Sequence, residues 1–386
     1  MKNPKNEFKL KPEDKLILSC GHSQVNDELE KKIIKLVNLD LNWEYIVDMA
    51  TRHRLRPLLY YNLIKICPGD VPEDVLVNLR DFYHSNVRKN LMMTGELVKV
   101  MKLLEDNGVN AITYKGPVLA QMAYGNVGYR EFGDLDILVD KSDALKAKNL
   151  MFSQGYELLT PIKISDADFM KLEAEYIFIN KKLGSKIEIN WNFEGNFFSF
   201  KGDPSCLFDN QIKYNINDFE FLSFSPENKL LMLSIHAAKH DWTRLSWIMD
   251  IVEFVNKQSI NWEDTLKKAD KLGIKKILLI TLYLAHDLWD LELPDIVTLE
   301  FDSKSLEKMV KKIKENIFND KKSWNLIDKF FLDIEKRDDK LSGIKDSLNG
   351  LTKPTYTDFE DIPINSFLFF IYPILRPFLL IRRYGK

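Results

Sequence analysis

At 386 residues the chain is too long for one small domain, and two or three are expected. Hydrophobic residues at 45% and charged residues at 29% are the balance of an ordinary globular protein, and 55 basic against 57 acidic residues leave a net charge of −2. There is no basic excess of the kind that nucleic-acid binding needs. The three scattered cysteines argue against a disulfide framework or structural zinc, and suit a reducing cytosol.

The first 15 residues are polar and charged and are expected to be mobile, with no apolar stretch of the signal-peptide type. Helical spacing follows from about Leu16 to Leu103. Leu29, Ile33, Ile34 and Leu36 recur at helical intervals, as do Trp43, Ile46, Val47 and Ala50. Thr51-Arg52-His53-Arg54-Leu55-Arg56-Pro57 is locally basic, either a solvated helix end or a reach toward a phosphorylated substrate. Val75–Leu103 predicts one long helix or two.

The pattern then changes. Asn110–Tyr114 predicts a short strand, Pro117–Tyr124 a helix with proline in its first turn, and Leu135–Val139 a second strand. Ser142–Gly155 fits a helix and Tyr156–Leu159 a strand. Tyr176–Asn180 and Lys186–Trp191 alternate with period two around Leu183-Gly184-Ser185, which predicts a hairpin. From Pro226 onward the chain is expected to be helical, with Glu227–Lys257 as one helix. On it His236, Lys239, His240, Thr243, Trp247 and Asp250 fall within about a 100° arc. The apolar tail from Phe367 is broken by Pro373 and Pro377 and is too short to span a membrane. It is expected to dock on the core. These elements divide the chain into an N-terminal helical region (1–103), an α/β catalytic core (104–200) and a C-terminal helical domain (201–386).

The chemistry concentrates in Tyr114-Lys115-Gly116-Pro117 and Arg130-Glu131-Phe132-Gly133-Asp134-Leu135-Asp136. Residues i and i+2 of a strand share a face, so Asp134 and Asp136 project side by side while Leu135 turns to a core. Such a pair can hold one or two Mg²⁺ ions, which prefer carboxylate and phosphate oxygens. Gly116 permits close backbone approach to a phosphate, and the amides after it open a helix whose N-terminus attracts anions. Glu188, flanked by Ile187 and Ile189 on the predicted hairpin, is the candidate third ligand. The alternative is that the aspartates only cap the strand entry, which leaves two like charges with no cation. His236 and His240 share a helix face but lack the glutamate of the H-E-x-x-H zinc motif, and no P-loop motif is present.

Lys115-Gly116, Arg130-x-x-Gly133-Asp134-x-Asp136-x-Leu138-Val139, Glu188-Ile-Asn-Trp191 and His236-x-x-Lys239-His240 together resemble the uncharacterised bacterial nucleotidyltransferases of the DNA polymerase β-like superfamily. The resemblance runs from roughly Trp43 to Phe254. It departs from the family's usual pattern at Lys115-Gly116-Pro117 and at Ile189-Asn190. It implies an α+β fold, a small mixed β-sheet flanked by N-terminal and C-terminal helical regions. It also implies a cytoplasmic enzyme that moves a nucleoside monophosphate from an NTP, ATP foremost, to a hydroxyl or phosphate of a small-molecule or peptide acceptor. Asp134, Asp136 and Glu188 would be catalytic and would hold two Mg²⁺. Lys115, Gly116, Arg130, His236, Lys239 and His240 would bind the nucleotide. Members often lie beside genes for modified peptides, which suggests a role in peptide natural product biosynthesis. Two rivals are kinase-like phosphoryl transfer on the same scaffold and a non-catalytic nucleotide- or peptide-binding subunit.

Overall fold

The computed structural model describes residues 9–192, 199–216, 219–319, 324 and 326–384. The first eight residues of the polar N-terminal stretch lie outside these. The rest of that stretch is not all irregular, because a helix begins at Pro12 and buries Asp14.

Five strands form a mixed sheet: β1 (Ala111–Thr113), β2 (Asp134–Val139), β3 (Glu157–Leu158), β4 (Glu175–Asn180) and β5 (Ser185–Asn190). Their order is β1-β2-β5-β4-β3, with β2 and β5 parallel and the other pairs antiparallel. Alternation along the strands sorts the two faces. Leu135, Ile137, Tyr176, Phe178, Ile187 and Ile189 are all fully buried. Fully burying an aliphatic side chain of this kind stabilises by about 2 kcal/mol. This face therefore fixes the register, since a one-residue slip would turn all of it to the other side. The parallel register sets Asp136 opposite Glu188 and Asp134 opposite Lys186, so the polar residues share the remaining face.

One helix, Glu73–Asp106, runs through the region where one or two were expected. It holds the loop ahead of β2. Asn90 Nδ2 donates to the carbonyls of Val127 (2.6 Å) and Arg130 (2.8 Å), and Asn86 Nδ2 donates to those of Gly128 and Arg130, both at 3.2 Å. Lys89 Nζ donates to Phe132 O at 2.5 Å. Between β1 and that loop lies the helix Gly116–Tyr124. Gly116 opens it at φ +57° and Gly125 ends it at φ +70°, conformations that glycine adopts without strain.

The C-terminal part is not wholly helical. It contains a hairpin of β6 (Ile212–Ile216) and β7 (Phe219–Ser223), whose Ser223 hydroxyl donates to Thr113 O of β1 at 3.2 Å. The expected helix Glu227–Lys257 is two helices, Pro226–Lys239 and Leu245–Lys257. No glycine or proline marks the break. Asp241 (φ 55°) and Trp242 (φ 50°) take left-handed backbone conformations instead. Tertiary contacts offset that strain: Trp242 is fully buried with Nε1 donating to Thr281 Oγ1 at 2.8 Å. Asp241 accepts from Lys329 (2.5 Å) and Lys336 (3.3 Å).

The tail forms the helix Tyr372–Tyr384. Only one side of it docks as expected, through Tyr372, Leu379 and the Arg376–Asp358 ion pair. Phe370, Ile374 and Phe378 remain about 70% exposed, at 71%, 68% and 70%. Among the described residues no helix is long and apolar enough to cross a membrane.

Candidate active site

A cleft of about 340 Å³ opens over the polar face of β2 and β5. Asp134, Asp136 and Glu188 line it from the sheet, and Lys115 lines it from the turn after β1. His236, Lys239 and His240 reach it from the end of the helix Pro226–Lys239. Residues up to 125 positions apart in sequence thus meet in one cavity. The break after Lys239 shapes this wall. His240 stacks on Trp247 of the next helix, with ring centroids 4.9 Å apart, and His236 meets both rings edge-on.

The acids are not bare. Lys115 Nζ lies 3.0 Å from Asp136 Oδ1, and Lys186 pairs with Glu188. Glu188 is nonetheless pushed up to about 7, by burial first and then by Asp136 and Glu175, and Lys186 only partly offsets these. Burial likewise raises Glu175 despite Lys239 and Lys186. Five carboxylates, Asp134, Asp136, Glu173, Glu175 and Glu188, line the cleft against the lysines Lys115 and Lys239. Among the described residues no three His, Cys, Asp or Glu side chains stand close enough together to hold a metal ion as they are placed. The donor set still fits Mg²⁺, since it consists of carboxylate oxygens on one sheet face with an unrelieved like-charge repulsion. An ion there would take the places that the two ammonium groups hold.

Two of the expected nucleotide contacts lie elsewhere. Arg130 is not among the residues lining the cleft. Its guanidinium makes a bidentate pair with Asp250, with Nε 2.9 Å from Oδ1 and Nη2 2.9 Å from Oδ2. Tyr124 also donates to Asp250 Oδ1 at 2.8 Å. Gly116 is buried behind the lysine, where a Cβ would stand 3.5 Å from Asp134 O. It serves to turn the chain so that Lys115 faces the acids. The basic stretch at 51–57 is structural at two positions. His53 Nδ1 accepts from Leu245 N at 3.2 Å, and Arg56 pairs with Glu131 at 3.1 Å.

The sequence reading missed three residues of this region. Lys186 is the cross-strand neighbour of Asp134. Glu173 and Glu175 lead into β4 and line the same cleft. Their spacing in Glu173-Ala-Glu175-Tyr-Ile177 has the same period of two as the aspartate pair, and that was the available signal.

A small mixed sheet, a turn into a short helix, a strand opening with two acids and a third acid in register on the parallel strand form the α+β fold of polymerase β-like nucleotidyltransferases. The family described as "Uncharacterised nucleotidyltransferase" matches residues 39–290, and the chain belongs to it. A search of curated proteins found no match. Membership supports a reaction of the nucleotidyltransferase type.

Proposed function

We propose that this protein transfers a nucleoside monophosphate from an NTP, ATP foremost, to a hydroxyl or phosphate of a small-molecule or peptide acceptor, releasing pyrophosphate. The observation that carries this reading is the register of β2 and β5, which sets Asp136 beside Glu188 with Asp134 on the same face. Asp134, Asp136 and Glu188 would hold Mg²⁺. Bound there, the metal would supply charge neutralisation to an in-line displacement at the phosphoryl group.

The protein's own groups supply the rest. Lys115 and Lys186, now held by carboxylates, are placed to exchange them for phosphate oxygens. His236, Lys239 and His240 close the cleft from the opposite wall and add donors for the nucleotide. The acceptor oxygen forms its bond to the α-phosphorus as the bond to the bridging oxygen breaks, and pyrophosphate leaves. The acceptor's proton passes to Glu188, the carboxylate that the register sets beside Asp136.

The test incubates the full-length protein with Mg²⁺, each of the four NTPs and candidate acceptors. Pyrophosphate release, with an acceptor heavier by one nucleoside monophosphate, supports the proposal. An acceptor heavier by a phosphoryl group alone, with NDP as coproduct, assigns kinase-like transfer instead.

A further inference from the structure

A second cavity, of about 240 Å³, adjoins the cleft and shares Glu173 and Glu175 with it. Glu175 and Ile177 alternate along β4, and Ile177 is paired with Glu188 across the sheet. The cavity therefore begins one strand from Glu188, about 5 Å away at ordinary strand spacing. It differs from the cleft, whose five carboxylates are balanced in part by cations, in having no cation on its lining. The cleft wall carries Lys115, Lys239 and two histidines, whereas the second cavity is lined by Glu173, Glu175 and Glu360 with no Lys, Arg or His. Its remaining walls are neutral and include the rings of Phe169 and Tyr356.

Part of the wall comes from beyond the matched family region. Tyr356, Thr357 and Glu360 belong to the short helix Tyr356–Asp361, whereas the family match ends at 290. This helix is fastened where the cavity lies. Tyr356 N donates to Glu173 Oε1 at 2.7 Å, and the Tyr356 hydroxyl accepts from Lys163 N (2.8 Å) and donates to Pro161 O (3.1 Å). The Tyr356 ring meets Phe169 edge-on, with centroids 5.1 Å apart. The C-terminal segment thus completes a pocket that the matched region leaves open on one side.

We propose that this cavity is the acceptor subsite and that it selects a hydroxylated small molecule carrying a protonated amine. The ammonium lies among Glu173, Glu175 and Glu360. Carboxylates attract a cation and repel a phosphate, so the triphosphate is kept to the cleft with the lysines. A hydroxyl one strand away from the amine reaches the neighbourhood of Glu188. This assignment deepens the proposed nucleotidyl transfer and rests on it for the acceptor's fate, but the binding itself needs no turnover.

The experiment measures binding of glucosamine oligosaccharides to the full-length protein by ligand-observed NMR and calorimetry, beside their N-acetylated counterparts, whose amide nitrogens carry no charge. The expected result is binding about tenfold tighter or more for the free amine, the factor carried by one charge-assisted hydrogen bond. Glu360 is itself exposed, so Glu360→Gln should leave the fold intact and reduce that preference several-fold, and Glu360→Lys should abolish it. The preference in wild type without any pyrophosphate release would uphold the subsite and count against nucleotidyl transfer. Equal binding of the acetylated sugars, no binding of the amines, or a preference that survives Glu360→Lys would overturn the subsite whatever the turnover.

Discussion

Arg130→Met separates a structural arginine from a phosphate-binding one. The Arg130 side chain is 11% exposed and Asp250 3%. Burial works against the arginine's charge, and Asp250, with smaller contributions from Tyr124 and Asp134, more than offsets this. Removing the guanidinium strips Asp250 of a bidentate partner and leaves it the Tyr124 hydroxyl. A buried carboxylate orphaned in this way destabilises by about 3–5 kcal/mol. At roughly 2–4 °C per kcal/mol for a large cooperative unit, the melting temperature should fall by about 10 °C. Adding Asp250→Asn removes the stranded charge and keeps an acceptor for Tyr124, so the double variant should regain more than half of the loss. Differential scanning calorimetry measures both. NTP titration of the folded single variant, well below its transition, should show KM within about threefold of wild type. A loss under ~1 kcal/mol, or an unshifted transition with KM raised more than about tenfold, would refute the reasoning and return Arg130 to the nucleotide.

Asp136→Asn should keep the circular dichroism spectrum and melting temperature close to wild type while turnover falls by about 10³-fold or more, the scale of lost charge stabilisation at a metal-assisted transfer; retained Mg²⁺-dependent turnover would count against the assignment. Glu188 has a folded-state pKa raised to about 7, so the stability it contributes is present below about 4.5 and is lost as pH rises through 7. Without divalent metal, wild type should therefore lose on the order of 2 kcal/mol more than Glu188→Gln between pH 5 and 8, read from urea unfolding at each pH. A Cβ at Gly128 would meet Val87 Cγ2 at 2.8 Å, so Gly128→Ala should destabilise by about 1–3 kcal/mol. Val87→Ala in the same chain should restore most of it, and an additive double variant would show that the clash is not the cause.

The strands of the five-stranded sheet were legible because period-two alternation reports burial, and Ile187, Ile189, Leu135 and Ile137 carry that signal, whereas β6 and β7 were not foreseen. The same alternation placed Asp134, Asp136 and Glu188 on polar faces. Partners far apart in sequence were not legible. Arg130 reads as a phosphate ligand until Asp250, 120 residues away, is seen to hold it. The anchoring of the β2 loop by Asn86, Lys89 and Asn90 rests on side chains that look like ordinary polar helix residues. The break at Asp241–Trp242 has no local breaker and depends on what those side chains reach. The same holds for the acidic cavity, where Glu360 joins Glu173 only through the docking of Tyr356.

The account's central claim is that Asp134, Asp136 and Glu188 act together as one metal site beneath the nucleotide. Mn²⁺ titration followed by electron paramagnetic resonance, with a non-hydrolysable ATP analogue present, tests it most directly. The account predicts tight binding in the full-length protein that weakens by more than about tenfold in both Asp136→Asn and Glu188→Gln. Binding lost in Asp136→Asn but unchanged in Glu188→Gln would contradict it, since the third acid would then stand outside the site.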